Sequence, residues 1–179
     1  LLDKLSNLIL DYISDQGIEF DCIYGVPDGS TKIAVVSQFK WATSQPNFGP
    51  GSHVVPSGRK VPKEHGDPKD KYFVGAPKGR VVIIEDLVTT GGSLITNLEN
   101  LKEAGLNIEV AIVLVDRKER REDGMSVQEK VEKLGIKFLS MANAYELIPL
   151  AIEKQKPSER VIGEIKKYYE KYGLEPLKM

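Results

Sequence analysis

Apolar and polar positions along this chain switch between a helical and an extended period, and the switches mark its elements. From Leu1 to Ser14 the leucines and isoleucines stand at 1, 2, 5, 8, 9, 10 and 13, a helical spacing. Residues 21–26 form a short apolar run read as a strand, and Gly25-Val-Pro-Asp-Gly-Ser30 is turn chemistry leading into a helix over about Thr31 to Trp41. Further strands are predicted within His53 to Lys60, Arg80 to Asp86, Glu109 to Asp116 and Lys137 to Met141. Helices are predicted over Ser93 to Ala104, Ser126 to Leu134, Ala144 to Glu153 and Ser158 to Tyr172. Strands separated by helices imply an α/β fold: a five-stranded, mainly parallel sheet with helices on both faces and ligands at the carboxyl ends of the strands.

No internal repeat and no linker interrupts the 179 residues, so 1–179 reads as a single domain with enough apolar content, 41%, to bury a core. A formal net charge of −1 argues against a surface that coats nucleic acid. Without a run of 18 apolar residues, a signal peptide pattern or a low-complexity tail, the expectation is a soluble, cytoplasmic protein with no membrane partner. Cys22 is the only cysteine, so it makes neither an internal disulfide nor a cysteine-based zinc site, and its strand position predicts a small buried side chain.

Candidate chemistry concentrates in residues 81–93, Val-Val-Ile-Ile-Glu-Asp-Leu-Val-Thr-Thr-Gly-Gly-Ser. An apolar β-branched strand runs into two adjacent acids and then a loop that opens a helix. At that helix N-terminus, free backbone N–H groups and the positive end of the dipole favour phosphate, and glycine lets the backbone approach it. Glu85 and Asp86, at the strand's end beside that cradle, suit sugar hydroxyls or a hydrated Mg²⁺. Neither Gly-x-x-x-x-Gly-Lys-Ser/Thr nor Gly-x-Gly-x-x-Gly is present, which excludes the P-loop and dinucleotide readings.

A second cluster precedes it: Arg59, Lys60, Lys63, His65 and Gly66, in the order Arg-Lys-Val-Pro-Lys-Glu-His-Gly, within a charged, proline- and glycine-rich stretch that reads as a mobile loop. Cations gathered there would stabilise a departing polyanion. Asp116-Arg117 closes the next predicted strand; by itself Arg117 reads more readily as an exposed strand-end arginine in a charged run.

Together these segments resemble the type I phosphoribosyltransferases. Residues 81–93 resemble their motif for phosphoribosyl pyrophosphate (PRPP), the loop is similar to the Arg-Lys-x-x-Lys-x-His-Gly signature of the orotate phosphoribosyltransferases, and Asp116-Arg117 matches that group's Asp-Arg pair. The likeness runs through about residues 20–120. It implies a Mg²⁺-dependent transfer of phosphoribose from PRPP to orotate, with Thr89, Thr90, Gly91, Gly92 and Ser93 on the 5′-phosphate and Glu85 and Asp86 on the ribose hydroxyls, reaching the metal through PRPP and water. It implies catalytic roles for Lys63, His65 and Asp86, pyrophosphate contacts from Arg59 and Lys60, and orotate oriented by Thr89 and Arg117. The turn Gly25–Ser30 resembles the family's pyrophosphate loop, with Asp28 and Gly29 facing the ligand and Pro27 as a stiffening departure. It further implies a homodimer in which the loop of one subunit serves its neighbour's site.

Two departures stand out. Family members usually begin with a hood segment over the base, whereas this sequence opens on a helix, so the hood is expected to be absent or truncated; and Thr43 to Gly58 is longer than a minimal connection. The rival readings are a transferase for another nucleobase and a non-catalytic PRPP-binding regulator.

Overall fold

The computed structural model describes residues 1–59, 61, 63–65 and 71–178. Its elements are α1 (Leu2–Asp15), β1 (Cys22–Gly25), α2 (Thr31–Ser44), β2 (Ser57–Gly58), β3 (Phe73–Val74), β4 (Arg80–Val88), α3 (Gly92–Glu103), β5 (Asn107–Asp116), α4 (Val127–Lys133), β6 (Lys137–Asn143), α5 (Ala144–Gln155) and α6 (Glu159–Tyr172). The main sheet has the order β1-β4-β5-β6, and every pair in it is parallel.

Strand alternation sends side chains to both covered faces. Tyr24, Val81, Ile83, Ala111 and Val113 pack with Leu94, Leu98 and Leu101 of α3 and Val127 and Val131 of α4. Ile23, Val82, Ile84, Val110 and Ile112 turn the other way, onto Ile9 and Ile13 of α1 and Ile33 and Ala34 of α2. Each such side chain, lost from water completely, contributes about 1.5–3 kcal/mol before conformational entropy is charged against it. The continuous apolar runs of β4 and β5 follow from this two-sided burial. Cys22 is buried as expected, and burial pushes its thiol up to about 11, which leaves it protonated at neutral pH.

The sheet has four strands rather than the expected five. The strand expected within His53 to Lys60 shrinks to Ser57–Gly58, which pairs antiparallel with Phe73–Val74 outside the main sheet. Pro56 just before it carries no N–H for a ladder, and Gly58 lies against Tyr24 and Pro27, where a Cβ would collide with Tyr24 Oη. The result is a short ribbon lying over β1, and the basic loop hangs from it. Backbone bonds close the base of that loop: Arg59 N–H to Tyr72 O at 2.8 Å and Lys63 N–H to Lys71 O at 3.0 Å.

The C-terminal helices form a separate apolar cluster in which Ala144, Tyr169 and Leu177 are buried against Tyr145, Ile148, Ile165 and Tyr168. Asn143 starts α5 with a reciprocal cap: its side chain accepts from Glu146 N–H, and the Glu146 carboxylate accepts from Asn143 N–H. α5 thus begins at the carboxyl end of β6, the same end of the sheet at which β4 delivers Glu85 and Asp86. Trp41 packs between Phe20 and His53, with ring centroids at 4.8 and 5.1 Å, and His53 bonds Asn47 Oδ1 at 3.1 Å, a structural role for both.

Candidate active site

β4 ends and α3 begins within a few residues, and the turn between them carries the cradle. Gly91 is the N-cap of α3 at φ 69°, a left-handed conformation that favours glycine. A Cβ there would also lie 2.7 Å from Val127 Cγ1, so both the dihedral and the space require glycine. No side chain caps α3, which leaves its first N–H groups without a side-chain acceptor at an exposed end formed by Thr90, Gly92 and Ser93.

The acids are held from β1's side of the sheet. Ser30, buried at the start of α2, donates its hydroxyl to Glu85 Oε1 at 2.7 Å, and the same Ser30 Oγ accepts from Asp86 N–H at 2.8 Å. Gly29 lies against the Asp86 carboxylate so closely that a Cβ would meet Oδ2 at 2.5 Å. The turn 25–30 and the acidic pair therefore form one unit, with Asp28, Gly29 and Asp86 exposed at its surface and Glu85 beneath. Burial pushes the Glu85 carboxyl up to about 7, with Asp86 adding to the rise and Ser30 opposing it. Near neutral pH Glu85 is thus partly protonated and offers both a donor and an acceptor.

Beside the cradle lies a pocket of about 390 Å³ lined by residues of three segments: Val26 and Pro27 of the turn, Arg59 at the root of the loop, and Gly92, Ser93 and Thr96 of α3. Arg59 also donates from Nε to Phe73 O at 3.0 Å. Lys63 and His65 are exposed on the loop, and no hydrogen bond or ion pair among the described residues ties them to the acidic pair. Lys60 and Gly66 lie outside the described residues.

Arg117 follows β5, and its backbone N–H bonds Val88 O at 3.0 Å, which sets it beside the strand that leads into the cradle. Its guanidinium lies 2.7 Å from the Glu119 carboxylate and donates to Tyr168 Oη at 2.9 Å. Sequence reasoning missed Ser30 as the residue that links the acids, although it stands at the turn-to-helix boundary. It also missed Tyr168, Glu119 and Arg121, which donates to the Thr90 carbonyl. Among the described residues no group of three or more His, Cys, Asp or Glu side chains gathers a metal site; the donor set here is the pair Glu85 and Asp86, oxygen ligands suited to a hydrated hard cation whose remaining ligands come from elsewhere.

An acidic pair at a strand's carboxyl end, a Thr/Gly/Ser turn opening a helix, and a basic loop on a ribbon over the first strand define the type I phosphoribosyltransferase class. Comparison narrows the class. No family model matches the sequence. The orotate phosphoribosyltransferase of Pyrococcus furiosus is 32% identical over 150 residues, covering 84% of this chain and 74% of that protein. That of Bradyrhizobium sp. is 31% identical over 152 residues, covering 80% and 73%. A crystal structure of the Francisella tularensis orotate phosphoribosyltransferase shares the fold, with a TM-score of 0.67 at 22% identity over 96% of this chain and 80% of that one. The chain belongs to the orotate phosphoribosyltransferase family.

The raised Glu85 carboxyl has a measurable consequence. The folded protein holds this proton more tightly than the unfolded chain does, so stability falls as pH rises from 4.5 to about 7 and the cost is complete above that. At about 1.4 kcal/mol per pH unit, the penalty is of the order of 3 kcal/mol. Glu85→Gln keeps an oxygen for Ser30 and Asp86 N–H and removes the titration. Urea unfolding of the ligand-free protein should therefore show the variant gaining on the wild type across that window; a difference that does not vary with pH would contradict the assignment.

Proposed function

We propose that this protein transfers the 5-phosphoribosyl group of PRPP to orotate, forming orotidine 5′-monophosphate and releasing pyrophosphate, as part of pyrimidine nucleotide synthesis. The observation that carries the reading is the joining of the acidic pair to the turn 25–30 through Ser30 and Gly29, directly before the uncapped N-terminus of α3. One end of that unit suits a 5′-phosphate, its middle a ribose, and its other end a pyrophosphate.

The backbone and hydroxyl donors of Thr89, Thr90, Gly91, Gly92 and Ser93 hold the 5′-phosphate. Glu85 and Asp86 take the ribose hydroxyls, with the partly protonated Glu85 able to donate as well as accept. Asp28 and Gly29 meet the pyrophosphate side, and Arg59, Lys60, Lys63 and His65 close over it. The bond from C1 to the pyrophosphate oxygen breaks, and a ring nitrogen of orotate bonds C1 from the opposite face as its proton is given up to the departing pyrophosphate or to solvent. Charge collects on the departing pyrophosphate, where the Lys63 ammonium counts for more than it does in the ground state. Thr89 and Arg117 orient orotate, the arginine through its planar fork. Loop closure keeps water from an electron-poor ribose that would otherwise be hydrolysed.

Mg²⁺ suits this site as an ion held mainly by PRPP oxygens and water with Glu85 and Asp86 nearby, and when bound it supplies neutralisation of pyrophosphate charge. Residues 1–179 work as one phosphoribosyltransferase domain, two copies of which share their sites across a homodimer in the cytoplasm. In support of a non-membrane setting, no helix among the described residues is long and apolar enough to cross a membrane.

Pyrophosphate release with PRPP and Mg²⁺ should require orotate and fail with uracil or hypoxanthine. Lys63→Ala should slow turnover at saturating PRPP by about 100-fold or more while PRPP still binds. Unchanged turnover in that variant would remove the loop from the chemistry, release with another base would reassign the acceptor, and binding of PRPP without release would make the protein a regulator. Sharing of sites is tested by mixing Lys63→Ala subunits with Asp86→Asn subunits: the mixed dimer should recover part of the activity that each parent lacks, and no recovery would restrict the loop to its own subunit.

A further inference from the structure

Arg117 is gripped from α6, a helix that the sequence does not connect with the site. The Tyr168 hydroxyl accepts from Arg117 Nη2 at 2.9 Å and donates onward to Glu119 Oε1 at 3.0 Å, while the guanidinium lies over the Tyr168 ring, 5.6 Å from its centroid. Glu119 is itself buried and lies 2.7 Å from the same Nη2. The backbone repeats the attachment. Arg120 N–H bonds Tyr172 O at 2.7 Å, Leu174 N–H bonds Lys118 O at 2.9 Å, and Tyr169 Oη donates to Arg117 O at 3.3 Å. The contacts with Glu119 and Tyr168 both fall on Nη2, and the Tyr169 hydroxyl is a further neighbour of the guanidinium, whose side chain is 36% exposed.

The guanidinium borders a groove of about 560 Å³ between α5 and α6, with Val115, Leu147, Ile148 and Ile165 as apolar lining, Arg117 as its cation, and Glu164, paired with Arg160 at 3.3 Å, on its α6 side. The groove does not stand apart from the acidic pair. Val115 is the register partner of Leu87, and Leu87, next to Asp86, leaves 47% of its surface exposed. Paired positions in adjacent strands lie about 4.8 Å apart, so an apolar surface runs from beside Asp86 across Leu87 and Val115 to the arginine. A slot of this kind, mostly apolar, with a guanidinium at the edge nearest the acidic pair and its one carboxylate paired to Arg160, complements a flat ring that carries a carboxylate.

We infer that Tyr168 is a positioning residue for the base: with Glu119 it pins one nitrogen of Arg117 and thereby aims the remaining N–H groups at the carboxylate of a pyrimidine lying on Leu87 and Val115. The inference rests on the orotate reading of the site. α6 is on this account a wall of the base subsite, and Tyr168 acts on the substrate through Arg117 without touching the reacting atoms.

Calorimetric titration of wild type, Tyr168→Phe and Tyr168→Ala with orotidine 5′-monophosphate and with ribose 5-phosphate tests it. Tyr168→Ala should weaken the nucleotide about tenfold or more and leave ribose 5-phosphate unaffected, because the loss concerns a charge-assisted hydrogen bond on the base side. Tyr168→Phe keeps the ring under the guanidinium and should retain part of the affinity. In turnover, KM for orotate should rise while KM for PRPP and kcat stay within about twofold. Nucleotide affinity unchanged in Tyr168→Ala, or both ligands weakened alike, would overturn the inference while orotate turnover by the wild type left the function standing. A wild type that binds the nucleotide no more tightly than ribose 5-phosphate would defeat the orotate reading, and this inference with it.

Discussion

A chain that leaves a strand buried on both faces and enters a helix within a few residues must expose the helix's first N–H groups where the strand ends. The cradle at Thr89–Ser93 is that constraint in physical form. β4 is paired with β5 from Arg80 to Val88 and with β1 over Val81 to Ile84, α3 is pinned by Leu94, Leu98 and Leu101 beneath it, and the turn between them is narrow enough that Gly91 must be left-handed and carry no Cβ beside Val127. Fixed in this way, the N–H groups are held by the fold itself, so the anion proposed for them would not have to meet the entropic cost of assembling them.

The rest of the site is referenced to that turn. Ser30 reaches across from β1's side to both acids, so the spacing between the turn 25–30 and the cradle is set by one buried hydroxyl. The arrangement keeps Glu85 in a place where burial raises its carboxyl to about 7, a cost in stability at neutral pH that sits at the centre of the site. On the far side, Arg117 is tied by its backbone to Val88 and by its guanidinium to α6, so the C-terminal helix is coupled to the same frame. The basic loop is the exception. Its described residues are joined to the rest by the short Ser57–Gly58/Phe73–Val74 ribbon and not by the main sheet.

The strands of the main sheet were legible because burial on both faces demands short apolar, largely β-branched runs bounded by turn residues, and α1 and α6 because their apolar positions recur at helical spacing. The turn at Thr89–Ser93 was legible as a strand-to-helix connection for a local reason, since glycine, threonine and serine after an apolar strand suit a helix start; the phosphate assigned to it is part of the proposal. The strand expected within residues 53–60 is present but lies outside the main sheet, because the missing donor of Pro56 and the close approach of Gly58 to Tyr24 confine its ladder to two residue pairs. Ser30, Glu119 and Tyr168 act across separations of 55, 2 and 51 residues from the groups they hold, Glu85 for the first and Arg117 for the others. The partnerships of Ser30 and Tyr168 follow from how the chain folds back, and neither periodicity nor a motif encodes them; Glu119 is local but carries no motif that marks it.

The central claim is that the uncapped start of α3 is the phosphate-binding end of the site. Its most direct measurement is an amide-resolved nuclear magnetic resonance titration of the protein with ribose 5-phosphate. The N–H signals of Gly91, Gly92 and Ser93 should move most and move together, saturating with one ligand per chain. If those three stay fixed while the largest shifts arise at another part of the molecule, the cradle is only a helix end and the account fails.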